Sequence, residues 1–178
     1  SASSSATITT KVLDEGPHDL YGQMSDQVGN RSVCEFIGTY TVDTSAPTPT
    51  LALFNPSQSP ASSDTPIVQV GNLSGTETLT LYKGSGANDD CSADITSSST
   101  AASDNSYLDI TTTSLGSDGK YYFYVEAIDN ANNSSGCIGP IVYVKNSTPP
   151  DPVVALVGST PSQSTTATIQ INNLDTDD

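Results

Sequence analysis

The sequence predicts an all-β protein built of repeated two-sheet sandwiches. Short runs of β-branched and aromatic residues alternate with polar residues, and turns rich in Gly, Asn, Asp and Ser separate the runs. No stretch has the apolar spacing of an amphipathic helix. The chain also matches itself at a period of about 102 residues, which indicates tandem units.

Composition narrows the class of protein. The 178 residues include 20 acidic and 5 basic side chains, which gives a net charge of −15. Nucleic acid and anionic lipid bind clustered Lys and Arg, so neither is expected as a partner. No apolar run approaches the roughly 18 residues that cross a bilayer, so no membrane insertion is expected within the chain. With one histidine, His18, which we interpret as a solvated turn residue, and no catalytic motif, we predict no enzyme.

Three pairs of segments carry the repeat. Their alignment places Asp26 on Asp129, Cys34 on Cys137 and Val42 on Val144. The paired segments are 6–13 (ATITTKVL) with 108–115 (LDITTTSL), 21–48 with 124–150, and 66–73 (PIVQVGNL) with 167–174 (ATIQINNL). We therefore divide the chain into the C-terminal half of one repeat (residues 1–45), a complete repeat (46–146) and the first strands of a third (147–178).

The complete repeat contains six or seven short candidate strands, which is typical of a sandwich of about 100 residues. On the longest strand, the face with Phe123, Val125 and Ala127 is the expected core face, and Tyr124 lies on the other. The candidates are Thr50 to Phe54, Pro66 to Val70, Thr78 to Lys83, a weak strand at Ala93 to Thr96, Tyr107 to Thr112, Lys120 to Ile128 and Ile141 to Lys145.

The cysteines predict one disulfide. Cys91 and Cys137 lie in loops of the complete repeat that can meet at one end of a sandwich. Such a bridge stabilises the fold by roughly 3 to 4 kcal/mol through loop closure, and it forms in an oxidising, extracellular setting. Cys34 corresponds to Cys137, and its partner would lie in a half-repeat that these residues do not include.

Two loops and two linkers invite functional interpretations. AIDNANNSSG and MSDQVGNRSV form either tight turns or calcium sites, in which Asp129 or Asp26 is joined by Asp43. No other cofactor is predicted. The segments TVDTSAPTPT and VKNSTPPDPV are expected to be short, semi-rigid spacers because proline restricts the backbone.

Five residues begin N-x-S/T sequences and are candidates for glycosylation: Asn30, Asn72, Asn132, Asn133 and Asn146.

A strand, a D-x-x-x-N loop, a last strand and a VDTSAPT linker follow each other in order. This pattern resembles the bacterial immunoglobulin-like repeats of large surface proteins and adhesins. The resemblance implies an extracellular array of immunoglobulin-like sandwiches, joined by Pro-rich linkers, that serves as a stalk or fibre with calcium at some joints. Its expected partners are neighbouring repeats or copies of itself, and a cell-surface protein or glycan.

Two other functions stay open. The half-repeats of different copies could complete one another by strand exchange, which would give a homopolymeric filament. Alternatively, the chain could be a carbohydrate- or protein-binding module, with Tyr82 and Tyr107 beside the loop at 84–90, or a spacer of a secreted enzyme.

Overall fold

The computed structural model describes residues 5–84, 86–88, 91–92, 94–100, 106–158, 160–161 and 163–172, with the side chains of 98–100 left out. This part of the chain is all β and contains no helix, as predicted, and therefore none that could span a membrane. Its strands are β1 Gly16–Gly22, β2 Glu35–Val42, β3 Thr50–Asn55, β4 Ile67–Gly71, β5 Thr78–Gly84, β6 Asp94–Thr100, β7 Tyr107–Thr111, β8 Gly119–Ile128, β9 Ile138–Lys145, β10 Val153–Val157 and β11 Thr168–Asn172.

The central strands form two antiparallel sheets that share one core. One sheet has the order β3-β4-β7 and the other the order β6-β5-β8-β9. The buried cluster draws on both: Val68, Val70, Leu73, Leu79, Leu81, Ile110, Leu115, Phe123, Val125, Ala127 and Tyr143. Because alternate residues of each strand point into this cluster, the arrangement is that of a β-sandwich.

Six of the seven candidate strands agree with those of the structure within three residues at each end. The weak candidate corresponds to β6, although Ala93 itself lies outside the described residues. β6 also continues to Thr100, four residues past the candidate's end at Thr96. Among the other strands the largest difference is at β9, which begins at Ile138 rather than Ile141 because a bulge lets Ile138 pair with Val125.

The expected core face of β8 is confirmed, since Phe123, Val125 and Ala127 are fully buried. Tyr124, on the opposite face of β8, is buried as well, and only 3% of it is exposed. Its hydroxyl donates a 2.9 Å hydrogen bond to the carbonyl of Gly86, in the loop that joins β5 to β6. This loop therefore supplies cover that the alternation along β8 does not reveal.

The disulfide is present in the structure. Cys91 and Cys137 are bonded with their Cα atoms 5.5 Å apart, and Cys34 is an exposed free thiol. The bridge ties the loop before β6 to the start of β9, and it agrees with the prediction made from the two loops in which the cysteines lie.

Two further antiparallel hairpins lie outside the sandwich, β1-β2 and β10-β11. Every residue of β10 and β11 is exposed, and Tyr21, Phe36 and Tyr40 of the first hairpin are exposed as well. Residues 6–13 match the segment that contains β7 in sequence, yet they form no strand. The reason is that β7 pairs with β4, and the first hairpin has no counterpart of β4 among the described residues.

Candidate functional site

The loop between β8 and β9 is closed by the side chain of Asp129. Its Oδ1 accepts hydrogen bonds from the backbone N–H groups of Ala131 at 2.8 Å and Asn133 at 2.9 Å. Its Oδ2 accepts a third bond, from Asn133 Nδ2 at 3.0 Å. Asp and Asn occupy the first and last positions of D-x-x-x-N because a carboxylate accepts and an amide donates across this turn.

The loop between β1 and β2 repeats this bonding with Asp26. Oδ1 accepts from the N–H groups of Val28 at 3.0 Å and Asn30 at 2.8 Å, and Oδ2 accepts from Asn30 Nδ2 at 2.8 Å. The asparagine side chain is the largest cause that lowers the pKa of each aspartate, Asp26 through Asn30 and Asp129 through Asn133. Both loops therefore have the tight-turn structure that was one of their two interpretations.

A second recurring contact fixes the start of each linker. Glu15, just before β1, accepts hydrogen bonds from the Thr44 hydroxyl at 2.6 Å and the Thr44 N–H at 3.0 Å. Asp118, just before β8, accepts from the Ser147 N–H at 2.9 Å and the Ser147 hydroxyl at 2.8 Å. The pKa of Glu15 is lowered chiefly by the Thr44 hydroxyl, and that of Asp118 chiefly by the Ser147 N–H. We call each carboxylate with its linker residues an acid clamp.

These contacts correct the alignment of the repeat. Glu15 and Asp118, like Asp26 and Asp129, are 103 positions apart. At this spacing Val42, the last residue of β2, corresponds to Lys145, the last residue of β9, and not to Val144. Matching identical valines shifted the end of the alignment by one residue, whereas the ladder positions of the strands fix it.

The first linker, residues 43–48, is also bonded to the sandwich. Asn133 Nδ2 donates to the carbonyl of Asp43 at 3.0 Å, and Asn72 Nδ2 donates to the carbonyl of Thr48 at 2.7 Å. Since Glu15 bonds the same segment from the side of the first hairpin, the linker is held from both directions. We call residues 43–48 with Glu15, Asn72 and Asn133 the joint.

A shallow groove of about 540 Å³ lies at the joint, between the linker and the loops around Asn72 and Asp129. On its wall, Glu77 is 3% exposed. One carboxylate oxygen accepts from the N–H and hydroxyl of Ser74, and the other accepts from the N–H groups of Gly75 and Thr76, at 2.6 to 3.0 Å. Burial opposes ionisation, but these donors outweigh it and lower the pKa of Glu77 to about 2.

The residues named for calcium are not brought together as one set. Asp43 and Asp129 line the groove at the joint, whereas Asp26 closes the other loop. No group of three or more His, Cys, Asp or Glu side chains within the described ranges is placed to hold a metal ion. The Asp26 and Asp129 carboxylates already accept N–H groups, which gives them a structural task, and calcium at these residues stays a prediction.

The glycosylation candidates differ in what their amides do. The Nδ2 atoms of Asn30, Asn72 and Asn133 donate the hydrogen bonds described above, so a sugar there would compete with a structural contact. Asn132 is exposed in the turn with a φ of +67°, and Asn146 Oδ1 accepts the N–H of Thr148 at 3.1 Å. Glycosylation itself stays a prediction at all five.

The aromatic residues named for a binding module lie on separate sheets. Tyr82 is on β5 and its hydroxyl bonds Glu126 at 3.3 Å, whereas Tyr107 is on β7 of the other sheet. They therefore do not form one aromatic platform. Residues 85, 89 and 90 of the proposed loop lie outside the described residues.

Tyr121 is a position whose contacts were not predicted from the sequence. At the start of β8, the Tyr121 hydroxyl lies 2.8 Å from the carbonyl oxygen of Leu115 and 2.6 Å from that of Ser117. The equivalent residue of β1 is His18, whose Nε2 donates to the carbonyl of Asp14 at 2.7 Å, four residues earlier as in Tyr121 and Ser117. His18 is therefore a half-buried strand residue, and the expectation of a solvated turn residue is wrong.

No protein-family model matches the chain, and a search of curated proteins finds no match either. The functional argument therefore depends on the contacts within this chain.

Proposed function

We propose that the chain is part of an extracellular stalk or fibre of tandem immunoglobulin-like units whose joints are held by hydrogen bonds. The observation that carries the proposal is the recurrence of the same contacts 103 residues apart. An aspartate-closed loop and an acid clamp accompany both β1-β2 and β8-β9. Chance turns would not share donors, acceptors and spacing over two such contacts.

The immunoglobulin-like assignment is supported by strand order and by Tyr121. Sheets of order β3-β4-β7 and β6-β5-β8-β9 match the alternation of such sandwiches between their two layers. A tyrosine near the start of the next-to-last strand, bonded to backbone a few residues upstream, is the tyrosine corner of these folds. His18 would occupy the same corner in the preceding unit.

The stalk role is supported by how the joint restricts the linker. Carboxylate and amide side chains from both sides bond residues 43–48, and Pro49 is buried at its end. Fixing a linker in this way limits the angles that neighbouring units can adopt, which a spacer that projects from a surface requires. The disulfide favours an extracellular setting, because such bridges persist in oxidising compartments.

Pulsed electron spin resonance tests the joint directly. One spin label is attached to Cys34, and a second to a cysteine introduced by Thr111→Cys on the exposed face of the sandwich. We expect a narrow distance distribution that broadens in Glu15→Ala. Asp19→Ala is the control, because Asp19 also accepts a threonine hydroxyl, from Thr39, but within the first hairpin. A distribution that is already broad in the unmodified joint would refute a stiff stalk.

Location is tested separately on intact cells of the organism that produces the chain. A membrane-impermeant amine reagent should label its lysines before lysis. Labelling that occurs only after lysis would contradict the extracellular assignment.

The exposed apolar side chains of the two outer hairpins favour a second candidate, a homopolymeric filament. In this arrangement β10-β11 of one copy packs on β1-β2 of the next, as β3-β4 packs on β8-β9 within the sandwich. In that packing the exposed apolar side chains of β10-β11 would become buried: Val154, Leu156, Ile169 and Ile171. Light scattering across a concentration series tests this candidate, and a mass that stays at 18.4 kDa would exclude it.

A further inference from the structure

We propose that the segment at 59–63 and strand β9 form a latch that sets the force at which the sandwich opens under tension along the chain. The inference rests on the proposed function only in that a stalk or fibre transmits such tension. The latch is built from backbone and side-chain contacts that lie outside the two main sheet ladders.

The segment runs parallel to β9, with Ala61 opposite Lys145. The Ala61 N–H donates to the carbonyl of Val144 and the Asn146 N–H donates to the carbonyl of Ala61, each at 3.0 Å. The Val144 N–H donates to Ser59 Oγ at 2.6 Å. These bonds cover the outer edge of β9, which the sheet itself leaves unpaired.

Two buried side chains reinforce the latch from the inner face of β9. The hydroxyl of Tyr143, a fully buried residue, lies 3.0 Å from the carbonyl oxygen of Ala61 and 2.8 Å from that of Ser63. Lys145, 7% exposed, donates from Nζ to Asp64 Oδ1 at 2.8 Å and to the carbonyl of Gly116. The segment just after β3 is thus bonded to the end of the last strand of the sandwich.

The parallel direction decides how these bonds share a load. Tension pulls the segment toward its N-terminal end and β9 toward its C-terminal end. In parallel strands these are opposite ends, so the strands are sheared and their bonds are loaded together. In the antiparallel hairpin β1-β2 the two pulled ends are adjacent, so its pairs open one after another.

The load reaches the latch early. Tension from the linker first loads the two single joint bonds from Asn133 and Asn72, and it then reaches Thr50, the first residue of β3, which is paired antiparallel with β4. Pulling at that end peels β3 from β4 pair by pair, and the next resistance is the segment at 59–63. The latch, rather than the β3-β4 ladder, therefore sets the opening force.

The disulfide then limits how far an opened sandwich extends. Cys91 and Cys137 are separated by 46 positions, and a bridged loop transmits the load through sulfur instead of lengthening. At about 3.5 Å per residue, the segment between the two cysteines would add about 160 Å of extension if the bridge were absent. A bridged unit would open while keeping its length within bounds, which suits a stalk that is stretched repeatedly.

Single-molecule force spectroscopy on the full chain, held at its two ends, tests the latch with a matched pair of variants. Tyr143→Phe and Tyr121→Phe each remove one hydroxyl bonded to two backbone carbonyls on the same sheet, but only Tyr143 contacts the segment at 59–63. We expect similar shifts of the urea midpoint in both, and a lower opening force in Tyr143→Phe alone. Ser59→Ala, at an exposed position, should lower the force as well.

Reduction of the disulfide should lengthen the extension step of the sandwich by about 160 Å. Equal opening forces for Tyr143→Phe and Tyr121→Phe would overturn the latch, and an extension step unchanged by reduction would overturn the limit on length. These outcomes are read on the isolated chain, so they are independent of the spin-label and labelling tests of the proposed function.

Discussion

Glu77 gives the sharpest prediction, because a buried carboxylate that accepts four hydrogen bonds is being replaced by a group that cannot accept them all. In Glu77→Gln the amide nitrogen would face two donors in place of an oxygen. The pKa falls from 4.5 to about 2 in the folded chain. At about 1.4 kcal/mol per pKa unit this corresponds to about 3 kcal/mol, which water in the adjoining groove reduces to about 2 kcal/mol.

The pH dependence of this difference has a definite sign. A carboxylate whose pKa is depressed on folding stabilises the fold fully above its unfolded pKa of about 4.5. The contribution is lost as the pH falls through about 2, where the folded chain also binds the proton. The stability difference between wild type and Glu77→Gln should therefore be constant near neutrality and shrink between pH 4.5 and 2.

Urea unfolding followed by far-ultraviolet circular dichroism measures both effects. With a urea dependence of about 2 kcal/mol per molar, Glu77→Gln should lower the midpoint by about 1 M at pH 7. Asp109→Asn is the control, since its exposed carboxylate accepts a single bond from Gln69 at 2.8 Å. A difference between wild type and Glu77→Gln that stays the same at pH 2.5 would refute the assignment of the effect to the ionised carboxylate.

Three further outcomes are expected. Replacing Cys91 and Cys137 by alanine should lower the free energy of unfolding by about 4 kcal/mol, read from urea midpoints, and a loss below 1 kcal/mol would argue against the loop-closure account. Tyr121→Phe should cost about 1 kcal/mol in the same assay, whereas no loss would remove the corner as a stabilising contact. Asp129→Ala should speed amide hydrogen exchange at Asn133, and unchanged protection would contradict the closed loop.

The sequence predicted the strands of the sandwich well because each is short, alternates strictly and ends at a turn residue. Phe123, Val125 and Ala127 are buried as expected, since a period of two leaves one choice of face. The residues before the first hairpin do not form the strand that their sequence pattern predicts. Residues 6–13 have the pattern of β7 but form no strand, because a strand also needs a partner to pair with.

The site was less accessible to sequence reasoning. The D-x-x-x-N loops carried a local signal, since Asp and Asn close such turns with neighbouring residues. The acid clamp joins Glu15 to Thr44, 29 positions away, and the bond from Asn133 to Asp43 spans 90. These residue types are common in polar loops, so nothing in the sequence marks the two pairs. Only the fold brings their members together. The repeat spacing of 103 could have flagged Glu15 and Asp118 as equivalent acids, but not their partners.

The acid clamps have a consequence for the ionic conditions in which the joint functions. Their carboxylates bond neutral N–H and hydroxyl groups rather than Lys or Arg, and Lys145–Asp64 is the one salt bridge in the described part of the chain. Exposed ion pairs weaken as added salt screens them, whereas short hydrogen bonds to neutral donors depend far less on ionic strength. The linker should therefore keep the same geometry at low and at high ionic strength.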